Sequence, residues 1–275
     1  MAVSLRRSVE EFLAAHPRRT VAAGGAWWEC LSGGTGQEVV LVLPGGLGLP
    51  ELGFGQILDL ERDYRVLSPA YPASARMDHL VDGIAALLRA EGVASAHVIG
   101  ASFGGQVAQC LVRRHPSLVR SLVLSHTGVP TPVRARRMRR ALRLSGVLPF
   151  WAVRWMLRRQ LKDVFRSAAG SAPWRRLLDG LLQKVHRTQL AGLYACGIDF
   201  DENHAFAPGD LEGWGGRVLV LGSDDDPIYP AEERSRLEAL YPGAEVHTFH
   251  ATGHISSLLE PEEYRARIDA FLRGA

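Results

Sequence analysis

The sharpest chemical signal in the chain is Gly100-Ala101-Ser102-Phe103-Gly104, a G-x-S-x-G motif. It follows the apolar run Ala96–Gly100, which reads as a strand, and opens Phe103–Arg114, which reads as a helix. A sharp strand-to-helix turn would hold Ser102 in a strained conformation that only small neighbours permit. Its Oγ would then sit at a helix N-terminus, where free N–H groups and the positive dipole end favour developing negative charge. A glycine-rich turn with a capping serine has the same composition, so the motif needs chemical partners.

A serine hydroxyl is a weak nucleophile until a base removes its proton. Phe249-His250-Ala251-Thr252-Gly253-His254 offers that base: His254 lies past the last strand-like run and before the last helix. His247 and His250 read instead as a strand residue and a loop residue. Asp224-Asp225-Asp226-Pro227 follows another apolar run, and a carboxylate there could fix the imidazole tautomer and stabilise the imidazolium. Acids before proline also suit a turn or a helix cap, and one aspartate is enough for catalysis.

These groups can meet only if the elements before them end at one edge. Apolar runs at Glu38–Leu43, Tyr64–Ser68, Ala96–Gly100, Ser121–Ser125, Arg217–Leu221 and Glu245–Phe249 read as strands. Helical spacing marks Asp78–Arg89, Phe103–Arg114, Ala231–Leu240 and roughly Ser256–Leu272. Continuous apolar runs alternating with helices predict an α/β fold, a mostly parallel central sheet covered by helices on both faces. Ligands bind such sheets at the carboxyl ends of the strands. Val21–Ser32 reads as an added antiparallel hairpin at the sheet edge.

Residues 130–208 interrupt this pattern and read as an inserted helical lid, with 1–129 and 209–275 forming the core. Residues 131–190 carry 13 Arg and 2 Lys against two Asp, a net +13 that leaves −10 for the rest of a chain whose total is +3. Apolar residues recur there at helical spacing: Leu142, Leu144, Val147, Trp151, Trp155, Leu161, Phe165, Leu177 and Leu181.

The combined motifs resemble the α/β-hydrolase superfamily, in its branch with a lid between the sixth and seventh strands. The order Ser102…Asp…His254 is that superfamily's order and differs from those of chymotrypsin and subtilisin. The acid turn resembles the family's G-x-x-D-x-x-V-P pattern. Counted back from Pro230 the acid is Asp226, and counted forward from Gly222 it is Asp225; Asp226 is the expected member. Gly253-His254…Glu260-Pro261-Glu262 and the late Phe271-Leu272 are also typical. One departure is Pro44-Gly45-Gly46-Leu47-Gly48, where the family commonly has His-Gly. By position, the resemblance implies an oxyanion hole made of the Gly46 and Phe103 amides, since Pro44 has no N–H to give.

The implied reaction is attack of Ser102 on a carbonyl, proton transfer to His254, an acyl-enzyme, and release by water. Serine at the elbow argues against dehalogenase and epoxide hydrolase relatives, which carry aspartate. Esterase, thioesterase, peptidase, C–C hydrolase and acyltransferase chemistry stay open, as do a lyase, a cyclase and a binding scaffold. The expected substrate is a small, partly apolar acyl compound. Leu47, His126, Trp151 and Trp155 are candidate contacts, with Leu148, Phe150 and Met156 beside the tryptophans. The basic insertion reads as a solvated face, or as a surface for an acidic carrier protein or an anionic membrane.

Composition narrows the remaining classes. The 275 residues are 47% hydrophobic and 22% charged, which fits a globular domain rather than a disordered chain. Cys30, Cys110 and Cys196 show no metal-ligand spacing, so neither a disulfide framework nor a metal is expected, and a reducing compartment follows. The Gly-rich loop lacks G-x-x-x-x-G-K-[ST], and no other cofactor or nucleic-acid motif occurs. The N-terminus reads as a short surface helix rather than a secretory signal, and no apolar run is long enough to cross a bilayer. The expectation is a cytoplasmic protein.

Overall fold

The computed structural model describes residues 11–164 and 179–274. Of the expected N-terminal helix, residues 11–15 are helical; the preceding ten residues, Phe165 and Leu177 lie outside the described residues. The strands are β1 (Arg19–Ala23), β2 (Ala26–Gly33), β3 (Val39–Leu43), β4 (Arg65–Pro69), β5 (Ala96–Ala101), β6 (Val119–Ser125), β7 (Arg217–Ser223) and β8 (Glu245–Phe249). They form one 8-stranded sheet in the order β1-β2-β4-β3-β5-β6-β7-β8. The β1–β2 and β2–β4 pairs are antiparallel and the others parallel, so the expected edge hairpin is present.

Strand sequence explains strand position. The central β3, VVLVL, is buried at every residue, as a strand covered on both faces must be. At the edge, β8 reads EVHTF and only Phe249 is buried. One apolar cluster packs α2 (Met77–Ala90) and α3 (Phe103–Arg114) against one face of the sheet. A second cluster packs α1 (Phe54–Leu60) and α9 (Pro261–Arg273) against the other. The expected terminal helix is two helices, α8 (Ser256–Leu259) and α9, because Pro261 holds Glu260 out of helical conformation at φ −127°. The α1 helix had no periodic signal strong enough to predict it.

Between β6 and β7 the chain forms α4 (Pro132–Val147), α5 (Phe150–Val164) and α6 (Arg187–Asn203). Their inner side has its own apolar cluster, with Val153 and Leu157 of α5 against Leu181, Leu182, Val185 and Leu190. Leu47 and Leu49, from the loop after β3, join the same cluster. Arg134 ties the start of α4 to its surroundings: it donates to both carboxylate oxygens of Asp201 on α6 (3.0 and 2.6 Å) and to Glu233 at 2.8 Å. Glu233 belongs to α7 (Ala231–Leu240), so this bridge reaches the core.

The β5–α3 turn is a crowded backbone junction. A methyl on Gly104 would overlap the Leu43 carbonyl oxygen, and one on Gly100 would overlap the Gly104 carbonyl oxygen. We expect Gly104→Ala to lower stability by about 2 kcal/mol or more, because the obstructing atoms are backbone and cannot rotate away. Urea unfolding at constant m-value measures this.

Candidate active site

Ser102 immediately precedes α3 at φ 55°, ψ −119°, a left-handed conformation for a residue with a side chain. Such a backbone costs on the order of 1–3 kcal/mol and persists only where its surroundings fix it. Here the Ser102 amide donates to the Ser125 carbonyl at 2.9 Å, continuing the β5–β6 ladder. The Thr127 hydroxyl donates to the Ser102 carbonyl at 2.8 Å. Thr127 in turn fills the space beside Gly105, where a methyl would overlap it.

His254 lies past β8. Its Nδ1 is 2.8 Å from Oδ2 of Asp226, and both side chains are mostly buried. The other Asp226 oxygen accepts the amides of Ile228 (2.8 Å) and Tyr229 (3.1 Å). Burial alone would raise the Asp226 carboxyl, but the histidine bond, its charge attraction and these two amides outweigh burial and hold it below the usual range.

The neighbouring acids have other partners. Asp225 accepts from the Ser223 hydroxyl at 2.6 Å and from the Gly253 amide at 2.7 Å, so it anchors the loop that carries the histidine. Asp224 pairs with His250 Nδ1 and accepts the Ala251 amide. Counting from Gly222 and from Pro230 gave different acids; in space it is Asp226 that meets the imidazole.

Tyr229 joins the two halves of the site, and the sequence reading did not single it out. Its ring packs beside His254 with centroids 5.7 Å apart. Its buried hydroxyl accepts from Gln106 Nε2 at 3.1 Å and makes a polar contact with the Ser102 side chain. A signal was present, since Tyr229 occupies the slot that the D-x-x-V-P pattern gives to valine.

Of the other expected residues, Gly46 sits at an exposed loop tip after β3, next to Gly45, whose added Cβ would lie 3.7 Å from Ser102 Cβ. Tyr71 holds this loop by donating to the Pro44 carbonyl at 3.0 Å, and its ring packs edge-on against Phe103. Phe103 is buried, with Gly197 of α6 above it. Leu47 is packed into the apolar cluster formed by α5 and Leu181, Leu182, Val185 and Leu190. His126 lies beneath His254, ring centroids 5.6 Å apart, with Nδ1 3.1 Å from the Ser125 hydroxyl and Nε2 2.8 Å from that of Ser256. It therefore supports the histidine rather than lining a pocket. Burial first, and then the neighbouring His254, push His126 down to about 4.

Trp151 and Trp155 do not line a pocket; both are exposed on the outside of α5. The apolar residues of α5 form two stripes, 150/153/157/161 and 151/155, and packing against residues 181–190 selects the first as the inner one. A cavity of about 350 Å³ opens near Pro44, Gly45 and Ala101, on the α1 and α9 side of the sheet, and neither Ser102 nor His254 lines it. Among the described residues no cluster of His, Cys, Asp and Glu could hold a metal ion. No helix among them is long and apolar enough to cross a membrane.

With this geometry in place, comparison with known proteins is informative. Residues 24–267 match the profile of the Alpha/beta hydrolase family. The chain is 28% identical over 213 residues to a dihydrolipoyllysine-residue acetyltransferase component of an acetoin cleaving system from Cupriavidus necator, covering 74% of this chain and 52% of that protein. It is 26% identical over 199 residues to a 2-hydroxymuconate semialdehyde hydrolase from Pseudomonas putida, covering 69% of this chain and 66% of that protein. The matches thus span about half to two thirds of these relatives. A crystal structure of a hydrolase from Pseudomonas aeruginosa superposes with a TM-score of 0.79 at 21% identity, covering 93% of this chain and 98% of that one.

Two outcomes follow from the site's buried polar groups. Folded His126 resists protonation, whereas the unfolded residue titrates near 6.5, so the unfolded state binds more protons between the two values. Stability therefore falls as pH drops from about 6.5 toward 4, by roughly 3 kcal/mol from this group. In His126→Asn, which tolerates the φ of 46°, melting temperature should depend less on pH across that window. Secondly, Tyr229→Phe strands the Gln106 amide and should cost about 1–2 kcal/mol. A Tyr229→Phe/Gln106→Leu double variant should cost less than the two single changes summed, as read by urea unfolding.

Proposed function

The chain belongs to the alpha/beta hydrolase family, and from that premise we propose that it is a serine hydrolase acting on an ester, thioester or related acyl bond. The observation that carries this reading is the 2.8 Å hydrogen bond between His254 Nδ1 and Asp226 Oδ2, while the turn after β5 holds Ser102 at positive φ. The strands before these residues, β5, β7 and β8, run parallel in one sheet, so their carboxyl ends lie along one edge.

In this reading His254 takes the Ser102 proton as Oγ attacks the substrate carbonyl. Asp226, acceptor-only at neutral pH, keeps a proton on His254 Nδ1 and stabilises the imidazolium. Nε2 is then left to face the nucleophile. The Gly46 and Phe103 amides receive the oxyanion, each worth a few kcal/mol if aligned. Gly45 against Ser102 brings the β3 loop close enough for that duty. Collapse expels the leaving group, and His254 activates water to release the acid. Residues 130–208 act as a lid whose inner apolar cluster, together with Leu47, walls the acyl side of the site; a small, partly apolar substrate suits such a wall.

A second reading, hydrolysis of a carbon–carbon bond next to a carbonyl, is favoured by the likeness to a 2-hydroxymuconate semialdehyde hydrolase. It uses the same residues on a different leaving group.

A fluorophosphonate probe should label the wild-type protein and fail on Ser102→Ala. Turnover of p-nitrophenyl esters should drop by about 10⁴ in Asp226→Asn and by about 10⁶ in Ser102→Ala. Ester turnover that survives Ser102→Ala would overturn the nucleophile. Labelling of Ser102 without ester or thioester turnover, and with cleavage of a vinylogous 1,5-diketone, would favour the second reading.

A further inference from the structure

The outer face of the insertion combines two features that the core does not need. At its tip Val147 is 79% exposed, Trp151 74% and Trp155 58%, with Leu144 also exposed. Contiguous exposed apolar side chains of this size on a soluble domain mark a surface that meets something. The inner stripe of α5 already fills the apolar cluster of the insertion, so the tryptophans are surplus to its packing.

Along α4 the same outer side carries Arg136, Arg137, Arg140 and Arg143, all exposed. Among the described residues the ion pairs of α4 involve Arg134 and Arg139, to Asp201, Glu233 and Glu202, and none of these four. Spacing of three and four residues places Arg136, Arg140, Arg143 and Val147 on one helical face that leads to Trp151.

The tip is held firmly. Arg187 of α6 donates to the Ser145 carbonyl and, at 2.7 Å, to the Leu148 carbonyl, closing the α4–α5 turn. Arg154 reaches the carbonyls of Gln183 and Val185 at 3.0 and 3.1 Å, and both arginines lie over the Phe150 ring. The exposed indoles are therefore displayed by a braced hairpin.

We propose that this face docks the protein onto an anionic phospholipid surface. Arginines beside partly inserted tryptophans suit the headgroup layer, where cations meet lipid phosphate and indoles lie at the boundary with the acyl chains. The charge division sets the orientation: +13 over residues 131–190 is drawn to the surface while the −10 of the remaining chain is repelled. A second copy of the chain is a poor occupant, because it would bring the same unpaired arginines against these. This proposal does not depend on the identity of the nucleophile.

Co-sedimentation with vesicles tests it. Phosphatidylglycerol/phosphatidylcholine vesicles should bind the protein about tenfold or more strongly than pure phosphatidylcholine, and less at high salt. Arg140→Glu/Arg143→Glu and Trp151→Ser/Trp155→Ser should each weaken binding by about tenfold while keeping the wild-type circular dichroism melt. Trp27→Ser, at an exposed tryptophan on β2, should bind as wild type. Equal binding to both vesicle types, or no binding at low salt, would overturn the proposal. So would arginine-dependent binding that ignores the tryptophans, a vesicle-free dimer abolished by Trp151→Ser, or capture by an acidic carrier protein in place of vesicles.

Discussion

The site rests on one backbone constraint: Ser102 sits at positive φ between a strand and a helix that nearly touch. No side chain can be accommodated at Gly100 or Gly104, so β5, α3 and the end of β3 approach at backbone distance. That closeness puts the first turn of α3 next to the loop carrying Gly45 and Gly46. The strain is met by ordinary bonds, the Ser102 amide to Ser125 and the Thr127 hydroxyl to the Ser102 carbonyl. A side chain held this way has little backbone motion left to lose when a ligand arrives.

The imidazole is constrained from a different direction. Asp226 fixes one ring nitrogen, Asp225 fixes the loop through Gly253, and His126 supports the ring from below. His126 belongs to a run of buried hydroxyls: Tyr264 donates to Ser125, Ser256 meets His126, and Thr252 joins Ser256 to Ser223. Each polar group in that run has a partner, so burial strengthens the network instead of penalising it. An acidic triplet that looks redundant in the sequence is a set of separate attachments in the fold.

The sheet and the pairing of His254 with Asp226 could be read from the chain because local patterns decided them. Buried parallel strands give unbroken apolar runs, and Gly100, Ser102 and Gly104 sit where an elbow requires them. The ends of β3, β5, β7 and β8 agree with the apolar runs to within two residues. What could not be read depended on contacts between distant segments. Tyr229 acquires a role only because α3 brings Gln106 and Ser102 to it. His126 seemed able to face substrate, yet the Ser256 hydroxyl and His254 enclose it. For α5, spacing alone allowed either apolar stripe to turn inward, and the partner segment chose the one without tryptophans.

The Arg134 bridge has a mechanical meaning. It fastens the beginning of α4 to α6 and, through Glu233, to the helix that follows the acid turn. The far end, at the Val147–Pro149 corner, is joined to α6 by Arg187, and α6 is bonded to the start of α2 through Asp199 and the Met77 amide at 2.8 Å. A load placed on that corner thus has two routes into the core, and one of them ends on the helix that follows the acid turn.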